Sequence, residues 1–220
     1  MNKRILGGLA ALLLTAGLAG AASAETIRVG VSAGPHAEIL EQVRKVAAQD
    51  GLDIKIIEFT DYVVPNTALA SGDIEANSFQ HLPYLENQVK DRGFKLVSVG
   101  QTVVFPMGFY SKKVKSFDEL PEGATVAIQN DPTNGGRSLL LLQAKGVIKL
   151  RDGVGLKPTL LDIAANPKKL RLIELDAAQL PRSLDDVTAA AVNTNYAVEA
   201  GLDPVKDAIA REDAESPYTN

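Results

Sequence analysis

The sequence predicts an α/β fold in which two lobes, each a mostly parallel sheet flanked by helices, face one another as a clamp. Three observations predict it. Short β-branched runs alternate with stretches of helical periodicity; the alternation comes in two series that divide near residues 105–108; and the chain opens on an export signal. Open α/β sheets bind ligands at the carboxyl ends of their strands, so two facing lobes make a cleft that closes by hinge motion.

The chain begins with the basic stretch Met1-Asn2-Lys3-Arg4, runs apolar through residues 5–20 and reaches Ala22-Ser23-Ala24, a small-x-small cleavage site. Residues 1–24 therefore read as a secretory signal peptide, too short and wrongly flanked for a membrane anchor. The first lobe is expected over residues 25–106. Residues 26–32 (TIRVGVS) alternate as a strand, Gly34-Pro35 turns the chain, and Ile39, Val43, Val46 and Ala47 recur at helical spacing. Strands are then expected at 52–59, 74–79 and 95–104, with helices at 66–70 and 84–92. The second lobe, 107–216, opens on Ser116-Phe117-Asp118-Glu119, which reads as a capping box. Strands follow at 125–128, 170–175 and 187–192, and helices at 132–145, 177–183 and 195–200. Residues 217–220 would start a crossover back to the first lobe.

Composition narrows the function classes. The 220 residues carry a net charge of -4, with 23 basic side chains scattered among 27 acidic ones, which is no footprint for nucleic acid. There is no cysteine, so even in an oxidising compartment the fold must rest on burial alone.

Three stretches can carry chemistry. In "NDPTNGGRSLLLLQ", residues 130–143, a strand passes through turn residues into an apolar helix. Free N–H groups at such a helix start can hold an anion, and Arg137 adds a planar fork suited to a carboxylate. The alternative is that Asp131 simply caps the helix and Arg137 is a solvated charge. In "VNTNYA", Asn193 can take a carboxylate or an ammonium at a strand end, or serve as an N-cap. In "NSFQHLPYL", His81 stands beside Phe79 and Tyr84. A metal role is poorly supported, since His36 is the one other histidine and zinc sites are built from His and Cys clusters. No Gly-x-Ser-x-Gly elbow or cofactor loop accompanies it. Phe79, His81 and Tyr84, with Tyr62, supply flat apolar faces with polar tips, as a small-molecule pocket requires, although the same rings would suit an ordinary core.

Six strings carry a family resemblance: "DYVVPNTALASGDIEANSFQHLPYLENQ", "NDPTNGGRSLLLLQ", "DGVGLKPTLLDIAANPKKL", "LPRSLDDV", "NTNYA" and "ESPYTN". Together, over residues 26–220, the chain resembles the methionine-binding proteins of bacterial ATP-driven methionine importers, the NlpA-type lipoproteins. The resemblance implies a periplasmic binding protein rather than an enzyme, with no cofactor and one methionine, L or D, or a close derivative in the cleft. Its partner would be the membrane permease of the importer. Arg137 and Asn193 would hold the ligand carboxylate, Asn220 would contact the amino-acid head, and Tyr62, Phe79, His81 and Tyr84 would line the side-chain pocket. The same fold could bind another small carboxylate, and an exported enzyme acting on amino-acid conjugates is the remaining alternative. Two departures stand out. The family's lipobox cysteine is missing, which leads to the expectation of a freely diffusing protein, and the family's chains continue past the position of Asn220 to complete the first lobe.

Overall fold

The computed structural model describes residues 25–213 and 215–220. The signal peptide expected at 1–24 lies outside the described residues. In chain order the regular elements are β1 (Glu25–Ser32), α1 (Pro35–Ala47), β2 (Leu52–Phe59), α2 (Val64–Ser71), β3 (Ala76–Ser78), α3 (Leu82–Arg92), β4 (Gly108–Tyr110), β5 (Thr125–Gln129), α4 (Pro132–Ala144), β6 (Lys149–Leu150), β7 (Ile163–Ala165), β8 (Arg171–Leu175), α5 (Leu180–Ser183), β9 (Ala189–Val192), α6 (Thr194–Glu199) and β10 (Ala208–Arg211).

The first sheet has the order β2-β1-β3, with both pairings parallel. Helix α1 begins at Pro35, whose fixed φ suits a first helical turn, and buries His36, Ala37 and Leu40. Ala37 and Leu40 pack with Val29, Val31 and Ile54 into a small core. The spacing of Ile39, Val43 and Val46 marks the helix correctly, yet those three side chains are 42%, 45% and 60% exposed, so the apolar stripe lies away from the sheet.

The second sheet has the order β10-β4-β9-β5-β8. β5 is flanked in parallel by β8 and β9, and β4 and β10 add antiparallel strands at the other side. β5 and β9 are buried along most of their length, so both read as continuous apolar runs. One face packs on α4 through Val126, Ile128, Leu139 and Leu142; the other packs on α5 and α6 through Ala127, Leu180, Val192 and Tyr196. β6 and β7 form a separate two-stranded ladder.

Two sequence expectations fail here. Residues 95–104 form no strand: only Val104 bridges, to Thr219, and Val97 and Val99 are 80% and 97% exposed. Alternation favours a strand only where pairing and a buried face reward it; residues 95–101 pair with no strand, and the backbone bonds at the segment's end go to Asn220, from the Thr102 N–H and to the Val103 carbonyl. Ser116 makes no capping bond; Glu119 instead accepts from the backbone N–H of Lys115 at 2.8 Å, and the reciprocal capping box of this lobe is formed by Thr159 and Asp162.

Candidate functional site

The site forms where the carboxyl ends of β5 and β9 meet the turn between β3 and α3. Asp131 leaves β5 and caps α4, its Oδ1 accepting from the backbone N–H groups of Thr133 (3.1 Å) and Asn134 (2.8 Å). The sequence reading offered this helix start to an external anion; the Asp131 carboxylate occupies it instead. Gly135 and Gly136 allow α4 to sit close to its surroundings. A Cβ at 135 would lie 2.7 Å from the carbonyl oxygen of Gln129, and one at 136 would lie 2.9 Å from that of Leu156.

Arg137 is 3% exposed, which excludes the solvated-charge alternative. Its Nε donates to Glu212 Oε1 at 2.7 Å and its Nη2 to Glu212 Oε2 at 2.5 Å and to the Phe105 carbonyl at 3.0 Å. The guanidinium carbon lies 4.3 Å from the centre of the Tyr218 ring, a cation–π arrangement. Two arms of the fork are therefore committed within the protein.

Asn193 stands at the start of α6, but its side chain does not cap that helix. Its Oδ1 accepts from Gln129 Nε2 at 2.8 Å, and its Nδ2 donates to Asn134 Oδ1 at 3.0 Å. Gln129 is held in turn by Ser138, whose hydroxyl donates to Gln129 Oε1 at 2.5 Å. The alternative N-cap role is thus replaced by a buried amide network joining Asn193, Gln129 and Asn134.

His81 caps α3: its Nδ1 accepts from the Tyr84 backbone N–H at 3.2 Å. That bond leaves the proton on Nε2, which donates to Asn134 Oδ1 at 3.2 Å across the cleft. Burial, reinforced by the nearby Arg137 charge, pushes the His81 pKa down to about 3, so the ring is neutral near pH 7. A neutral ring with both nitrogens engaged is a wall rather than a proton carrier. Among the described residues no three His, Asp or Glu side chains gather as a metal site.

The aromatic side is continuous. Tyr62 lies 6.0 Å from Phe79, 6.3 Å from Tyr84 and 5.0 Å from Tyr196, centroid to centroid. The Tyr62 hydroxyl donates to Asn195 Oδ1 at 2.5 Å, and the Tyr196 hydroxyl donates back to the Thr60 carbonyl at 3.2 Å. Together with the His81–Asn134 bond, these contacts clasp the two lobes.

All seven residues singled out in the sequence, Tyr62, Phe79, His81, Tyr84, Arg137, Asn193 and Asn220, line one pocket. Asn220 joins it from the chain's end, its backbone N–H and its Nδ2 both donating to the Val103 carbonyl at 2.9 and 3.1 Å. The pocket also includes His36, Phe105, Asn134 and Asn195, and Glu212 stands behind Arg137, none of which the sequence reading assigned to the site. Asn134 and Asn195 sat inside strings already quoted. Glu212 carried no local signal, since its partner is 75 residues away.

Fold and site together define a two-lobed α/β ligand-binding clamp with an aromatic wall and a polar end. The model of the NlpA lipoprotein family matches residues 27–220, and the chain belongs to that family. It is 59% identical over 197 residues to the D-methionine-binding lipoprotein MetQ of Salmonella typhimurium, covering 88% of this chain and 73% of that protein. Among solved structures, the methionine-binding protein MetQ superposes with a TM-score of 0.86 at 58% identity, covering 88% of this chain and 80% of the other. A nutrient-binding protein from Burkholderia cenocepacia, solved bound to methionine, gives 0.85 at 59% identity, covering 88% and 82%. The Salmonella relative and the matched family carry the name lipoprotein, which runs against the expectation of a freely diffusing protein without a lipid anchor. Among the described residues no helix is long and apolar enough to cross a membrane.

Proposed function

We propose that this chain is the substrate-binding component of an ATP-driven importer, that it captures methionine between its two lobes outside the cytoplasm, and that it presents the closed form to the importer's membrane permease. The observation that carries the reading is the pocket itself. Tyr62, Phe79, His81 and Tyr84 form an apolar wall at one side, and Arg137 and Asn193 supply buried donors at the other. A thioether is apolar, polarizable and favoured beside aromatic rings, while an α-carboxylate needs charge-assisted donors. The identity to MetQ relatives supports the same ligand.

On this reading residues 25–106 and 107–216 are the two lobes, and residues 217–220 lead back to the first. The return is supported by the Leu82 N–H donating to the Thr219 carbonyl at 3.3 Å and by the bridge between Val104 and Thr219. On this reading the clamp binds its ligand without transforming it: its relatives are named as binding proteins, and His81 has both ring nitrogens committed.

The test is calorimetric titration of protein that has been unfolded and refolded to remove bound ligand, using L-methionine, D-methionine and a panel of other amino acids. Saturable binding of either methionine, tighter than for the rest of the panel, is expected. A tighter fit to another amino acid would move the assignment to that ligand, and no saturable binding to any of them would end the clamp reading.

A further inference from the structure

Two polar atoms at the pocket have no hydrogen-bond partner: Asn195 Nδ2 and His36 Nε2. Both residues are 5% exposed and both line the pocket. Their hydrogen positions follow from their neighbours. Asn195 Oδ1 accepts from the Tyr62 hydroxyl, so the amide is turned with its two N–H bonds free. His36 Nδ1 lies 3.0 Å from Ser32 Oγ, the sole polar partner of that hydroxyl among the described residues. Ser32 is 2% exposed, and a buried hydroxyl with one polar neighbour gives its proton to it. Nδ1 therefore accepts, and Nε2 bears the hydrogen. Burial holds the His36 pKa down to about 4, which keeps the ring in this neutral form. Both orphans are donors.

The Arg137 side of the pocket leaves room for them. Arg137 commits Nε and Nη2 to Glu212 and Phe105, and Asn193 commits one of its two N–H bonds to Asn134. A carboxylate offers about four lone-pair sites, more than Nη1 and one amide N–H can fill.

We propose that Asn195 and His36 complete the carboxylate cradle, Nδ2–H and Nε2–H donating to the oxygens of the bound amino acid beside Arg137 and Asn193. This rests on the binding reading above. It makes Asn195 and His36 determinants of selectivity: a ligand whose carboxylate is reduced to an alcohol keeps one uncharged oxygen in place of two anionic ones and cannot satisfy every donor, and a buried donor left unpaired weighs against binding.

The experiment compares the refolded wild type with Asn195→Asp and His36→Phe, titrated with L-methionine and with L-methioninol, which keeps the ammonium and the thioether. Asn195→Asp retains the acceptor for Tyr62 and turns the donor into an anionic acceptor. His36→Phe retains a ring against Phe105, which lies 4.8 Å away. Each variant should lose about tenfold or more in methionine affinity, the scale of a charge-assisted bond lost in a buried site, with a smaller change for methioninol. Methionine affinity within about twofold of wild type for either variant overturns that residue's part, as does an equal loss for both ligands. Tighter methionine binding by Asn195→Asp also overturns the proposal, because it places the ligand ammonium there instead. Asn195→Ser, which also removes the amide donor, replaces Asn195→Asp if a thermal melt shows the latter unfolded. A wild type that binds no amino acid of the panel sinks the binding reading itself, whereas a wild type that binds while its variants stay unchanged sinks the donor pair alone.

Discussion

Arg137 and Glu212 are the residues whose pairing most changes what a substitution should do. Their side chains are 3% and 12% exposed, and removing one partner of a buried pair costs roughly 3 to 5 kcal/mol because the other charge is left uncompensated. At about 2 to 4 °C per kcal/mol for a chain of this size, Arg137→Ala should lower the melting midpoint by roughly ten degrees as well as abolish ligand binding. Replacing both partners by apolar residues of similar volume, Arg137→Met with Glu212→Leu, should recover much of the stability and none of the binding. A melt and a titration on the single and double variants separate the two roles. The same pair shows what the sequence could disclose. The aromatic wall was legible because Phe79, His81 and Tyr84 fall within six residues and their types announce a pocket. The partner of Arg137 was not, because pairing across 75 residues depends on topology and leaves no spacing to read.

At the scale of elements, α4 is where local and tertiary preferences conflict. Glycine inside a helix normally costs about 1 kcal/mol relative to alanine, so Gly136→Ala would be expected to stabilise. Here the added methyl would meet the backbone of residues 156 and 157 at 2.9 Å, and backbone cannot swing aside as a flexible side chain can. Gly136→Ala should therefore destabilise by about 1 to 3 kcal/mol, the usual cost of overpacking, measured as a shift in the urea midpoint. Most elements were legible because period and punctuation agree: β2 spans residues 52–59 in both readings, and α1, α3, α4 and α6 differ from expectation only at their ends. The short strands β4 and β10 were missed because three or four residues carry too little period to detect. Residues 95–104 misled for the opposite reason, since they alternate yet pair only through the Val104–Thr219 bridge at their end. Amide hydrogen exchange should find residues 95–101 unprotected while β5 and β9 exchange slowest; protection across 95–101 would show that a strand forms there after all.

At the scale of the whole molecule, acid sensitivity just below neutral pH rests mainly on two side chains. The chain has two histidines, both buried and both held neutral, with pKa values pushed down to about 4 for His36 and about 3 for His81. The unfolded chain takes up these protons first, as pH falls through about 6.5. Stability should thus be insensitive to this pair above that value and fall below it by about 1.4 kcal/mol per pH unit for each histidine, until the folded-state values are reached. Urea midpoints at pH 8, 7, 6 and 5 should be level over the first two and then drop, with His36→Phe roughly halving the drop between pH 6 and 5. The window lies above the ordinary carboxylate range; Glu199, whose carboxyl is pushed up by burial and by the nearby Glu58, would add a slope of opposite sign.

The Glu212 carboxylate behind Arg137 also determines how a ligand arrives. Arg137 is the one formally charged side chain lining the pocket among the described residues, and Glu212 cancels it at contact distance. The mouth of the clamp therefore projects little net field, and a zwitterion, itself without net charge, is neither pulled in nor repelled over a Debye length. Encounter should be governed by diffusion and by how often the lobes part, so the association rate should be nearly the same in dilute buffer and at physiological ionic strength: a receptor indifferent to the salinity of its surroundings.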